Sequence, residues 1–155
     1  MPEYLEITVD KFTFRVATDR FYTSEGAWVS LLPQGEGLGV RVQIGLSDFL
    51  QQRSGDIAFA EIKPIGTSLS IGDEVASIET IKVNVALSSP LSGKVIEVNP
   101  EMNTAPEAIN QDPYGAGWLA VIAASDWETD RARLLDAAAY FEVVKREAEE
   151  EIKGQ

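Results

Sequence analysis

The stretch Ala76-Ser77-Ile78-Glu79-Thr80-Ile81-Lys82-Val83-Asn84-Val85 decides how the chain folds. Ile81, Val83, Val85 and Leu87 alternate with Lys82, Asn84, Ala86 and Ser88, a period of two that marks a strand with one apolar and one wet face. Lys82 falls on the wet face. Ala76 and Ile78 alternate in a second strand just before it. The two strands predict a hairpin whose tip falls within Glu79 to Lys82. Thr80-Ile81 is not a favoured hairpin dipeptide, so the turn needs support from elsewhere. On its own, a strand lysine is most often a solvated side chain. A Schiff-base lysine needs a neutral amine, which burial or a nearby cation provides; Glu79 acts in the opposite direction. A third reading makes Lys82 the attachment point of a carried group.

The composition narrows the choice. The 155 residues contain no Cys and no His. Thiol and imidazole nucleophiles, the commonest general base and the usual zinc ligands are therefore missing, and redox or sulfur chemistry would need an added cofactor. No acidic pair has a defined spacing in a Gly-marked pocket, so neither catalytic nor metal-binding residues are assigned. The formal net charge of −12 disfavours nucleic acid and anionic membranes, and leans towards a monomer with basic partner surfaces. No apolar run reaches the ~18 residues of a membrane span. Met1-Pro2-Glu3-Tyr4-Leu5-Glu6 lacks the basic-then-apolar pattern of a signal peptide, and a cytoplasmic location is expected.

Outward from the hairpin, short strands recur between Gly, Pro and Asp breaks. Leu5, Ile7 and Val9, then Phe12, Phe14 and Val16, predict an N-terminal hairpin turning at Asp10-Lys11, an edge cover for the sheet. An aromatic-rich strand follows Phe21-Tyr22, and a loop follows Pro33, with glycines at 35, 37 and 39. Val40, Val42 and Ile44 form the next strand. Ser47 is the expected N-cap of a short helix through Arg53, ended by Gly55. Asp48 and Arg53 are read as solvated helix charges. Ile57, Phe59 and Glu61 are expected on one strand face, with Ala58, Ala60 and Ile62 on the other. Val95, Ile96 and Val98 form a strand after the Ser92-Gly93 turn, and Trp118, Leu119, Val121 and Ile122 another. Ser125 and Glu128 have capping-box spacing. Asp136 caps a second helix to about Glu151, with Leu135, Ala138, Tyr140 and Val144 as its apolar positions. Glu147 to Glu151 is read as a solvated, fraying end. So many short strands argue a compact β-sandwich or barrel in one domain.

From about Phe21 to Glu149 the chain resembles the H protein of the glycine cleavage system. Tyr22-Thr23-Ser24-Glu25 with Trp28-Val29 matches that family's opening strand. Ile44-Gly45-Leu46-Ser47-Asp48-Phe49 and Gly55-Asp56-Ile57 match its helix entry and exit. Gly72-Asp73-Glu74 and Ile78-Glu79-Thr80-Ile81-Lys82 match its lipoyl-lysine hairpin. Ser89-Pro90-Leu91-Ser92-Gly93-Lys94-Val95 and Glu97-Val98-Asn99 follow in order, then Asn110, Asp112-Pro113-Tyr114-Gly115 and Gly117-Trp118-Leu119. Biotinyl carriers would place methionines beside the lysine, where Ile81 and Val83 stand. Two positions depart from the family pattern: Gly26, where histidine is usual, and Ala86, where aspartate is usual.

The resemblance implies a mainly β, lipoyl/biotinyl-type hybrid-motif sandwich, a flattened barrel with short helices and a C-terminal helix. It implies a division into an extension at 1–20, carrying extra strands, and an H-protein-like domain at 21–155. It implies lipoate in amide linkage to Lys82, with Glu79 helping the lipoate-attaching enzyme recognise the hairpin. The implied role is a non-catalytic shuttle. It would carry an aminomethyl group between a glycine decarboxylase, an aminomethyltransferase and a dihydrolipoyl dehydrogenase. H-like proteins also carry sulfur for heterodisulfide-reductase-like oxidation systems or hand lipoyl groups to other carriers, and an unlipoylated adaptor is a further alternative.

Overall fold

Alternating strands that are buried on one face must stack against a second layer, and two antiparallel sheets do so here. The computed structural model describes residues 3–34, 37 and 39–153. The loop glycine at 35, Met1 and Pro2 of the extension, and the last two residues lie outside the described residues. The strands run β1 (Tyr4–Val9), β2 (Phe12–Ala17), β3 (Phe21–Tyr22), β4 (Ala27–Leu31), β5 (Arg41–Leu46), β6 (Ile57–Ile62), β7 (Ser68–Leu69), β8 (Glu74–Thr80), β9 (Asn84–Ser88), β10 (Gly93–Val98) and β11 (Ala120–Ala124). The α-helices are α1 (Asp48–Ser54), α2 (Ala108–Gln111), α3 (Trp127–Asp130) and α4 (Ala137–Lys153). A six-stranded sheet has the order β3-β4-β5-β11-β10-β7, and a three-stranded sheet the order β6-β8-β9. Val29, Val42, Ile44 and Ile122 of the larger sheet share one buried cluster with Ile57, Val75, Ile78 and Leu87 of the smaller. This is the expected mainly β sandwich with a C-terminal helix.

Strand β4 is buried on both faces. Ala27 and Val29 enter the sandwich core, while Trp28 enters a second cluster with Phe14, Val16, Tyr22, Phe49, Tyr114, Tyr140 and Val144. Successive strand side chains point to opposite faces, so one strand serves both clusters. Trp28 Nε1 donates to Pro113 O at 2.8 Å. Its ring lies so close to Gly45 that a Cβ there would meet ring atoms at 2.6 Å.

The N-terminal hairpin is a separate two-stranded sheet, not an added edge of the sandwich. Asp10, with φ of 58°, makes its turn. It packs on α1 and α4. Phe14 meets Phe49 edge-on at 5.0 Å, and Arg15 N donates to Asp48 Oδ2 at 2.9 Å. Asp48 is therefore a hydrogen-bonding anchor, not a solvated charge. Arg53 likewise pairs with Glu147 at 2.9 Å and Glu151 at 2.8 Å. The acidic run of α4 is tied to α1, and the helix continues to Lys153. The buried stripe of α4 is Ala137, Tyr140, Val144 and Ala148, whereas Ala138 is exposed. Ser47 caps α1 through Leu50 N, and Asp136 Oδ1 accepts from Ala139 N, both as expected. The capping box at Ser125 does not form. Asp126 is the N-cap of α3 without a side-chain bond, because Ser125 N is drawn to Ser92 O at 3.0 Å.

Three buried tyrosines stitch the second cluster. Tyr22 stacks on Tyr140 with centroids 4.5 Å apart. Their hydroxyls reach Ala17 O at 2.6 Å and Ser47 Oγ at 2.8 Å, and Tyr114 Oη donates to Arg15 O at 2.7 Å. Burial raises the Tyr22 and Tyr140 hydroxyls well above the usual tyrosine value and pushes Tyr114 up to about 12. Unfolded tyrosine ionises near ~10. The tyrosine contribution is therefore whole below pH ~10 and falls as pH rises, by up to ~1.4 kcal/mol per pH unit for each tyrosine. In urea titrations the midpoint should hold up to about pH 9 and drop between about pH 10 and 12. Tyr140→Phe should make that drop shallower.

Candidate functional site

The expected tip is displaced slightly along the chain. β8 runs through Thr80 and β9 starts at Asn84, leaving Ile81, Lys82 and Val83 as the turn. Ile81 and Val83 do not continue the apolar strand face; they are 75% and 48% exposed. Thr80 supplies what the unfavoured dipeptide lacks. Its Oγ1 accepts from Lys82 N at 3.1 Å and Val83 N at 2.9 Å, and donates to Val83 O at 2.9 Å. Thr80 N also donates to Val83 O at 2.9 Å. Ile81 N donates to Asp56 O at 3.2 Å, which ties the tip to the link between α1 and β6. Thr80→Val keeps the shape but removes all three bonds of the hydroxyl, the two it accepts and the one it donates, at a cost of about 1 kcal/mol. Amide hydrogen exchange at Lys82 and Val83 should accelerate while the core amides stay protected.

Lys82 is exposed, and among the described residues it joins no ion pair. Its stem lies across Gly55, where an added Cβ would sit 3.4 Å from Lys82 Cδ and 3.5 Å from Cε. Gly55 has φ of 94° and ψ of −168°, a conformation essentially reserved for glycine. Asn110 fixes this platform. Its Oδ1 accepts from Ile57 N at 2.9 Å, and its Nδ2 donates to Gln51 Oε1 at 2.9 Å and Gly55 O at 3.1 Å. Sequence reasoning noted Asn110 only as part of a family pattern and gave it no task. Its contacts lie more than 50 residues away in sequence, where no local signal points.

Glu79 stands on the outer face of the smaller sheet. The register aligns Phe59, Glu79 and Asn84 in one row across the strands, and Glu61, Ser77 and Ala86 in the next. Phe59 is 69% exposed although Ile57 is buried, contrary to the expected shared face. A bulge between Ile57 and Phe59 inserts an extra residue and reverses the alternation. The outer face borders a groove of about 980 Å³ lined by Phe59, Ile62, Ile65, Val98 and Met102, with Glu61 and Glu79 among its polar residues.

A second hollow, of about 290 Å³, lies along β9, the edge strand on the other side of the sheet. Glu25, Val85, Ala86, Ser88 and Arg133 line it. Gly26 stands beside it with φ of 105°; a Cβ there would meet Leu50 Cβ at 2.9 Å and Tyr140 Oη at 3.2 Å. The Leu50 side chain and the Tyr140 hydroxyl thus fill the space that a side chain at 26 would need. Ala86, exposed on β9, offers no side-chain acceptor.

The comparisons agree with this arrangement. Residues 20–147 match the family described as Glycine cleavage H-protein. The glycine cleavage system H protein of Chlorobium limicola is 40% identical over 129 residues, spanning 83% of this chain and 97% of that one. A protein of Pyrococcus horikoshii, named a probable glycine cleavage system H protein, is 36% identical over 132 residues, 85% of this chain and 94% of its own. The crystal structure of a glycine cleavage system H protein from Mycobacterium marinum superposes with a TM-score of 0.67 at 30% identity, covering 79% of this chain and 94% of that one. The matched span takes in both sheets, the Gly55 platform and the lysine-tipped hairpin, and with them the chain belongs to the glycine cleavage H-protein family.

Proposed function

We propose that this protein is the lipoyl-carrying shuttle of a glycine cleavage system, with lipoate in amide linkage to Lys82. The observation that carries this reading is an exposed lysine on a turn locked by Thr80, at the end of a rigid sandwich. An exposed primary amine is what an acylating enzyme requires, and the residues present fit the group. The lipoyl group, when bound, supplies the sulfur chemistry that a chain without cysteine lacks. The chain's own residues position rather than catalyse. Thr80 and Asp56 hold the tip, and Gly55 carries the lysine stem. Tethering keeps the reactive end at high local concentration near each active site it visits. Glu79, exposed three positions before the lysine, serves recognition by the lipoate-attaching enzyme. The remaining partners are a glycine decarboxylase, an aminomethyltransferase and a dihydrolipoyl dehydrogenase, met as a cytoplasmic monomer.

One observation favours a second reading, carriage of sulfur for a heterodisulfide-reductase-like system. Ala86 brings no side-chain acceptor for an amine, and Arg133 stands with Glu25 in the lining of the same hollow. Glycine–bicarbonate exchange separates the two. Protein lipoylated at Lys82 should support exchange with a glycine decarboxylase from the same organism. An absence of exchange, with that decarboxylase active on another H protein, would reject the glycine role and leave the sulfur role.

A further inference from the structure

Three polar side chains form a continuous line from the N-terminal hairpin to the segment beneath Lys82. At the outer end, Arg15 N of β2 donates to Asp48 Oδ2 at 2.9 Å, and Gln52 Nε2 donates to the same oxygen at 3.0 Å. Asp48 Oδ1 accepts from Gln51 Nε2 at 2.9 Å, and Gln51 Oε1 accepts from Asn110 Nδ2 at 2.9 Å. Asn110 closes the line on Ile57 N and Gly55 O. Asp56 lies between those two residues, and its carbonyl accepts from Ile81 N of the tip. Gln51 is only 7% exposed, so its amide depends on these partners rather than on water. We propose that Asp48, Gln51 and Asn110 are positioning residues for Lys82, transmitting the anchorage of the hairpin to the segment that holds the tip. The inference rests on Lys82 being the attachment point, as read above.

The polarity of the line shows what Asp48 does in it. The line begins on the backbone N–H of Arg15 and ends on that of Ile57, so both ends donate. A primary amide in such a line donates on one side and accepts on the other, and so passes the polarity on. Two amides between two donors leave a donor facing a donor unless one further member accepts on both sides. A carboxylate does so, and Asp48 is that member. Its two acceptor oxygens fix which way Gln51 faces, then which way Asn110 faces, and thereby give Ile57 N its acceptor. The outermost donor belongs to the hairpin, which precedes the matched span beginning at residue 20. The extension thereby acquires a task at the working end of the molecule.

The test moves the carboxylate along the line. Asp48→Asn, nearly isosteric, removes the double acceptor and sets a donor against a donor. Gln51→Glu adds a second double acceptor and sets two carboxylates face to face. The double variant carrying both substitutions has one again, at position 51, and every bond of the line can re-form. In the full chain, amide hydrogen exchange at Ile57 and Ile81 should be about fivefold faster in each single variant, the weight of one net hydrogen bond. The amides of the central strands β5 and β11 should keep their protection. The double variant should return to the unsubstituted rates. The kcat/KM for lipoate attachment by a lipoate-attaching enzyme, followed by intact mass, should fall and recover in parallel. Side-chain volumes are conserved in the double variant, so its recovery decides the matter even if a single variant does not fold. A lowered urea midpoint with unchanged exchange at Ile81 and unchanged kcat/KM would make the line a stabilising feature alone and overturn the proposal. A double variant no better than the worse single one would overturn it equally. Failure of the unsubstituted chain to gain the lipoyl mass would reject the carrier reading and this inference with it, and that failure shows before any substitution is made.

Discussion

In Lys82→Arg, the lipoyl mass increment should disappear completely while the fold stays as it is. Arginine keeps the charge and an aliphatic stem of similar length, but its guanidinium is not an acyl acceptor at neutral pH. The turn does not depend on the amine. Its bonds run from Thr80 Oγ1 and Thr80 N to backbone atoms of Lys82 and Val83, and the platform beneath is glycine backbone. Exposed substitutions of this kind change stability by no more than about 0.5 kcal/mol. Intact mass after incubation with a lipoate-attaching enzyme, paired with a thermal melt, reads both halves. Glycine–bicarbonate exchange should fall to background in the same variant. As a control, Lys63→Arg should retain full modification, because Lys63 lies at the end of β6, near Glu74 at 3.9 Å, away from the tip. Modification persisting in Lys82→Arg would move the attachment point elsewhere in the chain.

Phe14→Ala should be the most damaging change in the N-terminal hairpin, costing about 3–5 kcal/mol. Phe14 is only 7% exposed and packs edge-on against Phe49 of α1, in the cluster that also holds Trp28, Tyr114 and Tyr140. The truncation leaves a cavity that its rigid aromatic neighbours cannot close. Phe12, two residues earlier and 45% exposed, gives the contrast: Phe12→Ala should cost less than about 1 kcal/mol. Urea unfolding of both variants measures the difference. The family match begins only at residue 20, so the comparison also asks whether the hairpin is an appendage. A single transition with a lowered midpoint is expected, because Arg15, Ala17 and Thr13 bond directly to Asp48, Tyr22 and Gln52. A separate early transition, with the main one unmoved, would make the hairpin an independent unit.

The sandwich was legible because period-two alternation survives in β5 and β9, and because glycine and serine caps act within a few residues of where they stand. The readings that failed share a physical origin. Phe59 was placed with Ile57 because a bulge leaves no mark in the residue types. Ile81 and Val83 were read as strand interior, since an apolar residue placed outward looks the same in sequence as one placed inward. Asp48, Arg53 and Glu147 were read as solvated because their partners are 33 or 94 residues away, and charge alone says nothing of distant pairing. The capping box at Ser125 lost to a competing backbone bond that Ser125 N donates to Ser92 O. For the proposed site, Lys82 was singled out through its neighbours in the motif. The Thr80 clamp and the Asn110 platform come into view only when the chain is closed in space.

The first and last elements of the chain pack on each other, β1 and β2 against α4. A stretching force applied between the chain ends therefore loads this pair before it reaches the sandwich. The contacts of β1 and β2 with α4 lie on that path, and the Arg53 pairs with Glu147 and Glu151 tie the same helix to α1. A pull on the two described ends therefore meets the hairpin–helix contacts, which lie apart from the hairpin that carries Lys82.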